Sequence, residues 1–229
     1  MNKIGYILAL LSLLISTSAQ AQEVATYLLI VKHRFATPAQ QQALVKDGLK
    51  RLNKLGVNPK IVKIKVVSDR LNKNLLSQYT SRLDAWYKFA TQKGYCKKGE
   101  LCHLSLPPVF DSAGVDYGGG VAFDSCSMGS DYNASFSIAR IKNGKGLPRV
   151  EASKTSTAHE VGHNVGAEHY DKKANIMNSD ALKFGEVALP WVKETSFLVD
   201  ACMYYDGNRK VSKYGFRSFR GKIVEPLQP

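Results

Sequence analysis

Residues 24–31 form an apolar run that contains no charge and ends on Leu28, Leu29, Ile30 and Val31. A run this short, without helical spacing, reads as a buried strand. Thr37-Pro38 then opens a helix extending to about Leu55, with Pro38 at the favourable first helical position. Gly56 stops it. Residues 60–67 alternate lysine with Ile and Val over most of their length, which predicts a second strand. Across residues 72–93, Leu75, Leu76, Tyr79, Leu83, Trp86 and Phe89 recur at helical spacing. That is an amphipathic helix, and its aromatic stripe reads as core. Residues 101–110 and 119–124 predict two further strands, and residues 134–141 another. A helix around residues 158–165 follows. The order strand–helix–strand–helix–strands–helix predicts an α/β (α+β) fold, a mixed sheet with helices packed on it. No repeat or low-complexity segment interrupts the pattern.

The N-terminus is patterned differently. Lys3 precedes an apolar stretch over residues 4–15, and Ala19-Gln20-Ala21 has the form of an export cleavage site. The stretch is too short to span a bilayer, which needs about 20 apolar residues, and no later segment is apolar enough. The expectation is a signal peptide over residues 1–21, cleaved near Gln22, and a secreted or periplasmic protein. The first strand follows directly, so no latency segment is expected between them. Four cysteines (Cys96, Cys102, Cys126, Cys202) are an even number, which suits an oxidising compartment. None has ligand spacing to the histidines discussed below. Three pairings are possible, and Cys96–Cys102 would close a short local loop.

Charge adds a candidate surface. The formal net charge is +13, with Lys and Arg spread over residues 46–73 and clustered again over 209–222. The second cluster (Arg209, Lys210, Lys213, Arg217, Arg220, Lys222) is interleaved with Tyr214, Phe216 and Phe219. Such surfaces bind anionic surfaces, polyanions or acidic proteins, or serve only as a solvated basic face. No nucleic-acid module is recognisable. The expected division is a domain over residues 22–205 followed by a basic tail over 206–229.

The chemistry lies in residues 159–169, which read H-E-x-x-H-x-x-G-x-x-H. His159 and His163, four apart, project from one helix face and reach one ion. Gly166 can reverse the chain in a left-handed conformation, which returns His169 as a third ligand. Three protein ligands leave one position of a tetrahedral zinc open, as in catalytic sites. Glu160 stands beside the metal rather than on it, where a general base belongs. By this chain's own composition the pattern would arise by chance roughly once in 10⁵ such chains, so one catalytic Zn²⁺ is expected. Ala158, Val161 and Val165 lie on the opposite, core-facing side of the helix. Ser153, Thr155 and Ser156 are plausible N-caps for it.

Beyond His169 stands Ala174-Asn175-Ile176-Met177-Asn178, with Met177 eight residues after the histidine. With the zinc motif, this resembles the metzincin metallopeptidases, in which a Met-containing turn underlies the zinc site; Met177 is the matching residue. Within them the chain is similar to the reprolysin, or adamalysin-like, group. Gly118 to Phe123, followed by Cys126, resembles that group's edge-strand region, and residues 103–110 the strand before it. The resemblance spans about residues 24–205. It implies a zinc cleft between a larger N-terminal and a smaller C-terminal subdomain, and a Cys126–Cys202 disulfide. Departures are Tyr170 where Asp is common after the third His, Asn175 where Cys is common, and Ser179 where a ligating Tyr stands in astacins and serralysins.

The expected activity is a secreted zinc-dependent metalloendopeptidase acting on protein or peptide substrates. Gly119, Gly120, Val121 and Ala122 would pair with extended substrate backbone, and residues 178–184 would wall the pocket beyond the cleaved bond. Two competing classes are a target-specific zinc amidase or toxin, and a secreted binding protein using its basic surface.

Overall fold

A mixed sheet, helical on both faces, is built from the elements the periodicity predicts. The structure, a computed structural model, describes residues 22–55, 57–69, 79–98, 100–108, 119–122, 133–141, 150–165, 167, 169, 174–179, 203–206, 209–212, 216–219 and 222–226. Five strands, β1 (Gln22–Val31), β2 (Val57–Val67), β3 (Leu101–Ser105), β4 (Gly120–Ala122) and β5 (Ala134–Ser137), form one sheet in the order β2-β1-β3-β5-β4. Pairing is parallel throughout except between β4 and β5, which are antiparallel. The helices are α1 (Pro38–Lys50), α2 (Tyr79–Gln92) and α3 (Val150–Asn164). The α+β class is therefore as the sequence predicts.

Strand β1 is central, which explains its unbroken apolar run: a parallel strand covered on both faces has no polar side to show. Val24, Leu28 and Ile30 pack with Leu44, Val45 and Leu49 of α1, with Val161 of α3 and with Val165 just beyond it. Leu29 and Val31 face the other way, onto Leu83, Trp86 and Ala90 of α2, together with Leu104 and Phe136. The predicted aromatic stripe of α2 is thus core where it is described. Phe89 is half-buried and packs edge-on against both Trp86 and Tyr95.

Thr37 caps α1 with its side chain on the Gln40 N–H, and Gln40 returns the bond to Thr37 N. This is a reciprocal capping box, with Pro38 directly inside it. A 3-10 turn over Arg51–Leu55 ends the helical segment where predicted. β3 stops at Ser105, sooner than the predicted residue 110, because Pro107 and Pro108 have no N–H to continue the ladder. A Cys96–Cys102 disulfide ties the turn that follows α2 to β3. The expected Cys126–Cys202 pair, Gly166, residues 180–184 and the signal segment over 1–21 lie outside the described residues. Among the described residues no helix is long and apolar enough to cross a membrane.

Two findings depart from the sequence reading. The helix bearing the histidines starts at Val150, so Ser153, Thr155 and Ser156 are inside it rather than at its cap. All three are buried. The Ser153 hydroxyl accepts from Arg140 N (3.1 Å) and lies 3.2 Å from the Arg140 carbonyl, while Thr155 accepts from Arg51 (3.0 Å). The polarity of Ser153 and Thr155 serves tertiary partners, which a local capping rule does not see. The end of the expected domain and the basic tail, both read without strands there, contribute β6 (Met203–Asp206), β7 (Arg209–Ser212), β8 (Phe216–Phe219) and β9 (Lys222–Pro226) to a second, antiparallel sheet in chain order.

Helices α1 and α3 touch at a glycine. A side-chain carbon on Gly48 would stand 2.6 Å from Thr157 Cβ and 2.7 Å from the Lys154 carbonyl oxygen. Only glycine lets the two backbones approach this closely. Arg51 fastens the same contact through Glu151 (2.5 Å) and Thr155.

Candidate active site

Helix α3 presents His159 and His163 one turn apart, and the chain beyond it returns His169 to them. The three Nε2 atoms form a triangle with sides of 3.2, 3.2 and 3.1 Å. His159 Nδ1 lies 2.6 Å from the Ile176 carbonyl oxygen, and His163 Nδ1 lies 2.8 Å from that of Ala167. A carbonyl only accepts, so both Nδ1 atoms carry the hydrogen and both Nε2 atoms present lone pairs. Lone pairs converging at this distance repel one another unless a cation lies between them. Donors around a tetrahedral zinc at 2.0–2.1 Å stand about 3.3–3.4 Å apart, close to the observed triangle. The three imidazoles therefore form a group that could hold a metal ion. Burial, and then the neighbouring His159 and His169, push the His163 imidazole down to about 3, which keeps it neutral and ready to ligate.

The reversal after α3 is closed by the Ala167 N–H, which donates to Gly162 O at 2.9 Å. The Ala167 carbonyl then meets His163. Residues 175–178 form the second support. Met177 N donates to the Asn175 side chain (2.8 Å) and Asn178 N to the Asn175 carbonyl (3.2 Å). This Asn-stabilised turn points the Ile176 carbonyl at His159. Met177 is wholly buried and packs with Ala158, Ala167 and Ile176. Asn175, where the resembled group commonly has Cys, thus holds the turn by its own side chain.

Glu160 follows His159 on α3 and is also buried. Burial pushes its carboxyl up to about 8; a bound cation acts in the opposite sense. Its side chain lies against β4. A carbon added to Gly120 would stand 2.5 Å from Glu160 Cγ and 3.0 Å from Cδ, and would also strike the Phe136 carbonyl. Gly119, Gly120, Val121 and Ala122 are half-buried at the outer edge of the sheet, paired on the described residues only with β5. The carboxylate and an open strand edge are therefore side by side.

Sequence reasoning missed a buried polar layer beneath the site. His103 is wholly buried, with Nδ1 2.8 Å from Ser135 Oγ and Nε2 2.9 Å from Ser137 Oγ. Ser137 Oγ is in turn 2.8 Å from Thr157 Oγ1 on α3. Burial pushes the His103 imidazole down to about 3, so it stays neutral and bonds as both donor and acceptor. Asn164 Nδ2 donates to the Ala134 carbonyl (2.9 Å) one turn beyond Glu160. These bonds key α3 onto β3 and β5. Their trace in the sequence is the alternation of His103 with Ser105 and of Ser135 with Ser137, polar at positions where a buried strand would be apolar.

No protein with a curated description matches the sequence. The structure is similar to that of metalloproteinase-II from Bacteroides fragilis, with a TM-score of 0.49 and 17% identity, over 71% of this chain and 48% of that one. The chain thus spans about half the length of the Bacteroides protein. It is also similar to archaemetzincin from Methanopyrus kandleri, with a TM-score of 0.48 and 15% identity, over 80% of this chain and 94% of that one. The family model of the reprolysin-like M12B metallopeptidases matches residues 38–170, from the start of α1 through the third histidine. That span is more than half of the chain, and the chain belongs to the M12B reprolysin-like metallopeptidase family.

Proposed function

We propose that this chain is a secreted zinc-dependent endopeptidase, with His159, His163 and His169 as the ligands and Glu160 as the general base. The observation that supports this best is the convergence of three Nε2 atoms beside a buried carboxylate and an open strand edge. A zinc ion held there supplies Lewis acidity, which acidifies a water and polarises a carbonyl. Glu160 takes the proton of the attacking water and passes it to the leaving amine. The backbone of β4 orients the substrate as an added strand, with Gly120 bringing that strand close to the carboxylate. The carbonyls of Ile176 and Ala167 hold the first two imidazoles in the ligating tautomer. Met177 fills the base of the site as an apolar contact rather than a ligand.

Export through a signal peptide over residues 1–21 is part of the proposal, supported by the A-x-A site and by the Cys96–Cys102 disulfide. So is a catalytic domain over residues 22–205, with a basic segment after it. The test is digestion of a peptide library by the chain with and without a chelator. Cleavage within peptides, abolished by the chelator and restored by zinc, is expected. Cleavage that survives metal removal, or none of any peptide, would contradict the reading.

A further inference from the structure

The two edges of the five-stranded sheet are unlike. β4 lies beside Glu160; β2 is four strands away, about 19 Å at the usual spacing. Among the described residues β2 pairs only with β1, which leaves the outer row of N–H and C=O groups open along an 11-residue strand. Among the described residues, the large hydrophobic side chains that stand exposed are Val62 (51%), Ile64 (37%) and Val66 (37%), all on this strand. Register with β1 puts Ile61, Ile64 and Val66 on the face that α1 covers, because their partners are Thr26, Leu28 and Ile30. Val62 is the extra residue at a register shift. An apolar stripe thus runs along an open edge.

The same strand carries the devices that keep sheet edges from pairing with themselves: a proline, a bulge and lysines. Lys63 Nζ is anchored on the Gly94 carbonyl at 2.6 Å, and Lys65 lies over the Tyr95 ring at 5.2 Å. Laid against a second copy, Lys60, Lys63 and Lys65 meet like charges, which is unfavourable across strands. Laid against an acidic strand they meet opposite charges. At its N-terminal end this edge opens into a cavity of about 420 Å³ between β2 and α1. Leu49, Pro59 and Ile61 give it an apolar lining, and Lys46, Lys50 and Lys60 a positive one. Its single carboxylate, Glu23, is 3.0 Å from Lys60 Nζ, and Asp47 just outside the lining is 3.5 Å from Lys50 Nζ, so the three lysines still outnumber the two carboxylates.

We propose that β2 and the adjoining lysine-lined cavity dock an acidic, extended segment of a partner protein, which adds to the sheet as a sixth strand. Main-chain bonds to the open edge give affinity. Apolar side chains cover Ile64 and Val66, and a carboxylate enters the cavity. The site stands at the opposite edge from Glu160, so a partner held there leaves the cleft open.

The experiment is fluorescence anisotropy on the full chain carrying Glu160→Gln, which prevents cleavage of the probe. The probe is a labelled decapeptide alternating Glu with Val. The controls are the same peptide with Lys for Glu, and the acidic peptide N-methylated at alternate amides. The acidic peptide is expected to bind at least about tenfold tighter than either control. Lys46→Glu with Lys50→Glu, and separately Ile64→Glu, are each expected to weaken it about tenfold while thermal melting shows the fold retained. N-methylated and parent peptides binding alike would reduce the effect to bulk charge and overturn the proposal. So would indifference to the charge reversal, or self-association abolished by Ile64→Glu, which would make a second copy the occupant. The readout is binding alone, so its failure leaves the peptidase reading untouched.

Discussion

Gly120 and Glu160 are packed so closely that a single carbon added to Gly120 would lie 2.5 Å from Glu160 Cγ. The edge strand and the carboxylate are thereby one unit. A strand displaced outwards takes any bound backbone with it, and a carboxylate displaced inwards leaves its reach. Gly120→Ala is therefore expected to lower kcat/KM on the order of 10²-fold, the cost of about 1 Å of misplacement. Zinc content should be unchanged, because the atoms that the added carbon meets first belong to Phe136 and Glu160 and not to the histidines. Kinetics and elemental analysis on the same preparation check this; full activity would show that the contact relaxes freely.

Asn175→Ala removes the acceptor for Met177 N and frees the turn whose Ile176 carbonyl orients His159. Loss of such a support typically costs 10–100-fold in metal affinity. Competition with a zinc chelator is expected to show a loss of that size. Asn175→Asp, which keeps an acceptor oxygen, should recover most of it.

Gly48→Ala sets two effects against each other. Alanine is the better helix former by about 1 kcal/mol. The added carbon would meet Thr157 Cβ at 2.6 Å and a backbone oxygen at 2.7 Å, and overpacking of that kind costs about 1–3 kcal/mol. The clash involves backbone and a β-branched stem, neither of which rotates away, so it should win. Urea unfolding is expected to show a net loss of about 1 kcal/mol or more; stabilisation would mean that α1 and α3 separate without penalty.

How far the sequence revealed this molecule depends on the range of the interaction. The histidine triad was legible because helical periodicity alone sets the His159–His163 geometry. The core of α2 was legible for the same reason, through Leu83 and Trp86. The buried run of β1 and the helix start at Thr37-Pro38 are likewise local. What escaped depends on contacts between distant residues. Gly48 looks like a helix defect until Thr157 is opposite it. Ser153 and Thr155 look like caps until Arg140 and Arg51 come to meet them. His103 and Ser137 look like polar intrusions in a strand until they bond to each other and to α3. The exposure of Val62, Ile64 and Val66 follows from β2 being an edge, which alternation does not disclose.

His103 gives a pH dependence whose sign is fixed. Its folded imidazole is pushed down to about 3, against an ordinary 6.5. Between those values the unfolded chain binds a proton that the folded chain does not, so its contribution is complete above about pH 6.5 and is lost as pH falls. His103→Phe removes that titration and also the bonds to Ser135 and Ser137. The variant should be less stable than the parent at pH 7.5, with the gap narrowing by about 2 kcal/mol at pH 5. Urea unfolding of both at the two pH values measures it; a gap that does not change with pH would refute the assignment.

The most direct test of the account is the rate of peptide hydrolysis by Glu160→Gln with its zinc content measured in the same sample. The substitution preserves shape and removes the base. One zinc per chain should remain, since Glu160 lies beside the histidine triangle and is not part of it, and hydrolysis should fall by about 10²–10⁴-fold or more. Near-normal cleavage with zinc bound would place the base elsewhere and contradict the mechanism. Loss of zinc would contradict the division of labour between the three histidines and the carboxylate.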